Sequence, residues 1–190
     1  MNRPAPASFA PGPLVLAGLI IVAALTRLLP HPPNFSPVEA IALFGGAYFA
    51  SRQWAAVVPL LAMLVSDLAL GALHGAGYAT YLGGVSFWSV YACVGLSVLL
   101  GFGLRGKVGG ARVLAYALTG SVLFFAVTNF TAWLSDPQYA KTSAGLAAAY
   151  IAGIPFFRWS VLGTLGYSAI LFGGFALLRR RIPALRMQTV

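Results

Sequence analysis

Only three acidic residues and two histidines occur among the 190 residues of this chain, so each is conspicuous. Asp67 closes a long apolar run as Ser66-Asp67. A carboxylate in an apolar layer is costly unless it is paired, protonated or facing water. Arg27 or Arg158 is its expected partner across the fold, and either a helix-locking ion pair or direct ligand contact suits the pattern. Glu39 follows Ser36 and Pro37 at the spacing of a capping box, with proline favoured in the first helical turn. A local capping role and a ligand-binding role both fit it. Asn129 lies in an apolar stretch with no local need for an amide, so it either bonds across helices or reads a ligand. Trp133 suits an interfacial anchor or an aromatic wall for a ring-bearing ligand. His31 stands between Pro30, Pro32 and Pro33 on a stiff, extended segment, which suits a lid or a rigid connector. His31, His74 and Asp67 match no metal-ligand spacing, and no metal is expected.

These groups are separated by long stretches without charge. Residues 13–26, 54–66, 82–104, 113–135 and 159–178 contain no Asp, Glu, Lys or Arg, and together make up about half of the chain. With 59% hydrophobic residues, 8% charged residues and a mean hydropathy of +0.86, the composition is that of a membrane protein. A helix crosses ~30 Å of hydrocarbon in about 20 residues. A closed barrel would need the period-2 alternation that these runs lack. The expected fold is all-α, a single integral membrane domain over residues 1–190 with about six transmembrane helices. They are predicted at about 13–29, 37–50, 54–71, 82–104, 112–135 and 159–178. The second is short and carries Gly45-Gly46, which predicts a tilted, broken or thinly embedded element. Residues 144–157 are apolar, but too few to span. Small residues recur there at four-residue spacing and Pro155 follows, which predicts a half-helix or extracytoplasmic hairpin packed on the bundle.

The basic residues set an orientation. With the N-terminus inside, Arg3, Arg52, Arg105, Lys107, Arg112, Arg179, Arg180, Arg181 and Arg186 lie on cytoplasmic flanks, against Arg27, Lys141 and Arg158 outside. Nine against three is a positive-inside bias, so both termini are expected in the cytoplasm. The net charge of +9 is thereby a topology signal, and no nucleic-acid partner is expected. All three acidic residues and both histidines then fall on the extracytoplasmic half, as a site open to the outside requires. No small-residue cleavage site follows the first apolar run, which reads as a retained helix.

Several chemistries find no support. One cysteine, Cys93, excludes an internal disulfide. Cys93 suits inert packing, or a soft ligand to a metal-containing cofactor if it lined a cavity; otherwise no cofactor is expected. No phosphate-binding loop is present, no repeated buried carboxylates suggest a proton relay, and no inverted repeat relates the two halves.

Particular runs carry a resemblance. Arg27-Leu28-Leu29-Pro30-His31-Pro32-Pro33-Asn34-Phe35-Ser36-Pro37-Val38-Glu39-Ala40 and Ala42-Leu43-Phe44-Gly45-Gly46-Ala47-Tyr48-Phe49 resemble a small family of uncharacterised bacterial membrane proteins. So do Ser66-Asp67-Leu68, Val127-Thr128-Asn129-Phe130 and Tyr139-Ala140-Lys141-Thr142. That family is similar to the substrate-binding S components of energy-coupling factor vitamin transporters. The resemblance implies a six-helix bundle in the bacterial cytoplasmic membrane, with a pocket shaped by the loops between helices 1–2, 3–4 and 5–6. It also implies a transmembrane coupling protein with ATPase subunits that drive toppling of the binding subunit. A solitary cobalamin-binding relative, with a cysteine near the cobalt, gives Cys93 a comparison. The usual alanine-x-x-x-alanine docking face is missing from the first helix, where Ala17 is followed by Ile21 and Ala23 by Arg27.

The leading expectation is a substrate-binding subunit or solitary transporter for a small vitamin-like solute. Arg27, His31, Asn34, Glu39, Asp67, Asn129, Trp133 and Arg158 would line its pocket, with the lipid bilayer as surroundings. An assembly protein braced by its polar groups is the alternative. A membrane enzyme using His31, Asp67 and His74 as acid–base groups comes third, and no catalytic constellation is legible.

Overall fold

The computed structural model describes residues 11–75, 78, 81–185 and 189, and these residues form an all-helical bundle. Arg3 and Arg186, counted above for orientation, lie outside the described residues. Helix α1 (Pro11–Leu25) runs into a 3-10 turn at Thr26–Leu28, and an irregular stretch leads to α2 (Val38–Tyr48). Then follow α3 (Arg52–His74), α4 (Val85–Phe102), α5 (Gly110–Ser135) and α6 (Ser143–Ser168). A π turn at Ala169–Gly173 joins α6 to α7 (Gly174–Arg181). Among the described residues, four helical segments are long and apolar enough to cross a membrane: α3, α4, α5 and the continuous rod Ser143–Arg181. The outer surface suits such surroundings, since Val22, Leu68, Leu99, Ile154, Ile170 and Leu177 are each more than half exposed. In water a surface of this kind would drive association.

The rod corrects one expectation. Residues 144–157 are not a separate half-helix or hairpin; they continue without a break into the last long apolar segment. Pro155 forgoes one backbone bond, and the helix accommodates it. Thr142 starts the rod, its hydroxyl accepting from the Gly145 amide at 3.2 Å. At 39 residues the rod is about 58 Å long, roughly twice the hydrocarbon thickness.

Helix α2 is the centre of the fold. Every one of its 11 residues is buried, and α1, α3, α4, α5 and α6 all pack against it. Three glycines make this enclosure possible. A Cβ on Gly101 of α4 would stand 2.8 Å from the Gly46 Cα, and one on Gly45 would stand 2.9 Å from Pro59 Cγ of α3. Backbone meets backbone at the first contact, as small residues permit in membrane bundles. Below them Phe44 and Tyr48 pack edge-on against Phe175, with ring centroids 5.5 and 4.7 Å apart. The last α2 carbonyls are met by Arg105, which donates to Gly46 O at 2.9 Å and Phe49 O at 2.7 Å. A basic side chain at a helix C-terminus satisfies both the orphan carbonyls and the helix dipole.

With 11 residues α2 rises about 16 Å, roughly half of a bilayer core. The chain reaches it through residues 29–37, which fold inward until Ser36 touches Gly163 in α6. Asn34 turns this segment with φ of 65°, a left-handed conformation that asparagine tolerates. The half of the bundle not filled by α2 holds the site.

Candidate functional site

Two carboxylates anchor opposite sides of this region. Asp67 on α3 is 1% exposed. Its Oδ1 accepts from Arg27 Nη2 at 2.7 Å and the Tyr78 hydroxyl at 2.8 Å, and its Oδ2 accepts from the Tyr91 hydroxyl at 2.8 Å. Arg27 also donates to the Ser66 hydroxyl and lies 3.5 Å from Met63 Sδ. The node thus ties the end of α1 to α3, α4 and the α3–α4 connection. Charge-assisted bonds of this length are the strong kind, and the low-dielectric surroundings strengthen them further. Tyr78 lies in that connection, and its pKa is pushed up to about 12, first by burial and then by its bond to Asp67. It remains a proton donor throughout the physiological range.

Glu39, in the first turn of α2, is 5% exposed. Its Oε2 accepts from the Ser121 hydroxyl of α5 at 2.8 Å and from the Thr164 hydroxyl of α6. The capping-box reading is therefore corrected: the carboxylate bonds across the bundle to residues far along the chain. The Ser36 hydroxyl is 3.4 Å from the Val38 amide and meets the helix start without help from Glu39. Glu39 Oε1 has no hydrogen-bond partner. It and Ser168 Oγ are the buried side-chain oxygens or nitrogens among the described residues for which this holds.

Between the two nodes lies a cavity of about 910 Å³, within the range of small-molecule sites. Arg27, His31, Asn34 and Glu39 line it together with Ser160 and Thr164 of α6. Tyr78, Tyr81 and Phe124 supply aromatic wall, and His74 stands at its edge with its ring 6.3 Å from that of Tyr78. The proline-flanked loop contributes Pro30 and His31, whose Nδ1 lies 2.9 Å from the Pro32 carbonyl oxygen. Asp67 does not line the cavity; it holds Arg27 and Tyr78, which do.

The remaining expected site residues stand elsewhere. Asn129 Nδ2 donates to Phe125 O at 2.8 Å, and its side chain fills the space beside Gly153, so it serves the α5–α6 contact. Trp133 Nε1 donates to Ala140 O at 2.9 Å, and Lys141 donates to the carbonyls of Trp133, Asp136 and Tyr139. These bonds close the α5–α6 turn. Arg158 lies over the Trp159 ring at 5.1 Å on the exposed side of α6 and does not reach Asp67. Cys93 is buried in α4 outside the cavity lining. Among the described residues no three His, Cys, Asp or Glu side chains gather as a metal site would need.

Sequence reading missed Tyr78, Tyr81 and Tyr91. Their signal was the density of tyrosines within 24 residues after Asp67, each able to present a hydroxyl to a buried carboxylate. Ser121 and Thr164 gave no signal, because hydroxyl residues in membrane helices commonly bond to their own backbone.

The fold and site define a polytopic helical membrane protein with an internal hydrogen-bond network. Residues 7–185 match the model of a family described as a family of unknown function, DUF6580, and the chain belongs to that family. Neither a curated protein nor a solved structure matches it.

Proposed function

We propose that this chain captures a small vitamin-like organic solute in the cavity between the Asp67 and Glu39 nodes. It would act as a substrate-binding subunit or solitary transporter of the bacterial cytoplasmic membrane, with the cavity open to the extracytoplasmic side and both termini cytoplasmic. One observation carries the reading. A cavity of about 910 Å³ lies inside an apolar bundle and gathers Arg27, His31, Asn34 and Glu39 from segments that sequence reading marked as polar. An open recess of this volume with a few convergent polar groups on mostly apolar walls is the form that small-molecule sites take. The sequence resemblance to S components described above points to the same assignment, and would bring with it a coupling protein and ATPase subunits as partners. Native mass spectrometry of the gently purified protein, followed by denaturing release, tests it. A stoichiometric small organic molecule is the expected result. A protein that carries none, and that a vitamin and cofactor panel does not stabilise, would overturn the assignment.

The Asp67 node favours a second reading, a membrane assembly protein. Arg27, Tyr78 and Tyr91 leave that carboxylate with no need of a ligand. The same experiment separates the two, since an assembly scaffold carries no solute.

A further inference from the structure

Resting on the capture reading, we infer that the solute is a compact ring compound bearing an N–H donor, preferably cationic, and that Glu39 is the residue selecting it. Among the described residues, four side chains of the acidic and basic types line the cavity: Arg27, Glu39, His31 and His74. The Arg27 charge is already met by Asp67 at 2.7 Å, and its second nitrogen by Ser66, so an anionic solute gains little there. His31 and His74 each hold a ring nitrogen against a backbone carbonyl, at 2.9 and 3.0 Å, and both lie at the exposed edge.

Glu39 differs from all three. It is fixed through Oε2 by two hydroxyls from two different helices, while Oε1 is buried without a donor. Glu39 is part of the cavity wall, so a small turn of its carboxyl would bring Oε1 to a donor there, and an unsatisfied buried acceptor destabilises until something donates to it. A site built this way rejects analogues that lack the donor far more strongly than it rejects small changes of shape. Ser168, the other unpartnered group, lies at the opposite end of the bundle in a separate cavity of about 700 Å³, so it does not compete for this role. Tyr78, Tyr81 and Phe124 add ring faces, which favour a flat or cationic partner.

The test uses three ring compounds of one size on the full-length protein in lipid nanodiscs: benzamidine, benzyl alcohol and benzoate, with binding read by calorimetry. Benzamidinium is expected to bind at least tenfold more tightly than benzoate, with benzyl alcohol between them. Glu39→Gln should reduce that preference at least tenfold. Mapping the photo-adduct of 4-azidobenzamidine on the unaltered chain provides a readout independent of the variant's folding. Adducts on the peptides holding Tyr78, Phe124 or Glu39, displaced by benzamidine, are expected. Equal binding of all three compounds, a preference for benzoate, or adducts confined to other peptides would overturn the selectivity and leave capture standing. If none of the three binds, the selectivity fails, and the ligand-release experiment above decides capture separately.

Discussion

Replacing Asp67 by alanine strands three donors at once. Arg27, Tyr78 and Tyr91 all lie within 2.8 Å of its carboxylate, and the side chains of the ion pair are only 13% and 2% exposed. Solvent reaches Arg27 and Tyr78 only from the cavity side, so it is a poor replacement for the lost anion. Removing one partner of a buried pair costs about 3–5 kcal/mol, because the other charge stays buried and uncompensated. Asp67→Ala is expected at that level. Asp67→Asn should cost less, about 1.5–3 kcal/mol, since the amide keeps one acceptor but loses the charge. Arg27→Met should resemble Asp67→Ala, whereas the Arg27→Met/Asp67→Ala double variant should cost clearly less than their sum. Contacting groups of this kind show coupling of about 0.5–3 kcal/mol. Reversible unfolding in mixed micelles, with SDS fraction as denaturant and tryptophan fluorescence as signal, measures all four proteins. The reasoning fails if Asp67→Ala costs under about 1 kcal/mol, or if the two single changes add without coupling.

Further expectations follow from the packing and the loops. Gly101→Leu should abolish the folded bundle, because the new side chain meets the Leu43 and Gly46 backbone; size-exclusion recovery from mild detergent reports it. Arg105→Ala should cost about 1–2 kcal/mol by leaving the carbonyls of Gly46 in α2 and of Phe49 just beyond it uncapped, measured by the same micelle unfolding. Asn129→Ala should leave solute affinity within twofold of the parent and lower stability only modestly, as its contacts lie between α5 and α6; a large loss of affinity would place it in the site after all. Tyr78 has a pKa above its unfolded value, so its contribution to stability is complete below about pH 10 and is lost as pH rises towards about 12. Tyr78→Phe should accordingly remove one tyrosine from the late-titrating set followed by absorbance at 295 nm.

Much of the fold could be read from hydropathy, because long charge-free runs in a helical membrane protein have few alternatives. The rod Ser143–Arg181 was the exception. Arg158 and Pro155 interrupt its apolar pattern, yet neither breaks a helix whose exposed side they occupy. That Asp67 needs a basic partner, Arg27 or Arg158, was legible because unpaired charges cannot persist among apolar helices, and the fold selects Arg27. Asn129, Trp133 and Arg158 looked equally conspicuous, but their needs are met locally, by a carbonyl one turn back, by a loop carbonyl and by a neighbouring ring. Residue type does not reveal which polar group already has a near neighbour to bond. The opposite failure befell Glu39, whose local capping pattern concealed partners 82 and 125 positions away.

The shortness of α2 also dictates an order of assembly. A segment of 11 residues cannot hold itself across a bilayer, and the groups that receive it arrive later in synthesis. Gly101 closes on its backbone only once α4 has emerged, and Ser121 and Thr164 meet Glu39 only with α5 and α6. Until then α2 carries an acid whose hydroxyl partners have not been made and has no cleft to lodge in. Such an intermediate must rest in the aqueous groove of an insertion machine or at the headgroup boundary, and truncation before α6 should leave it a substrate for membrane proteases.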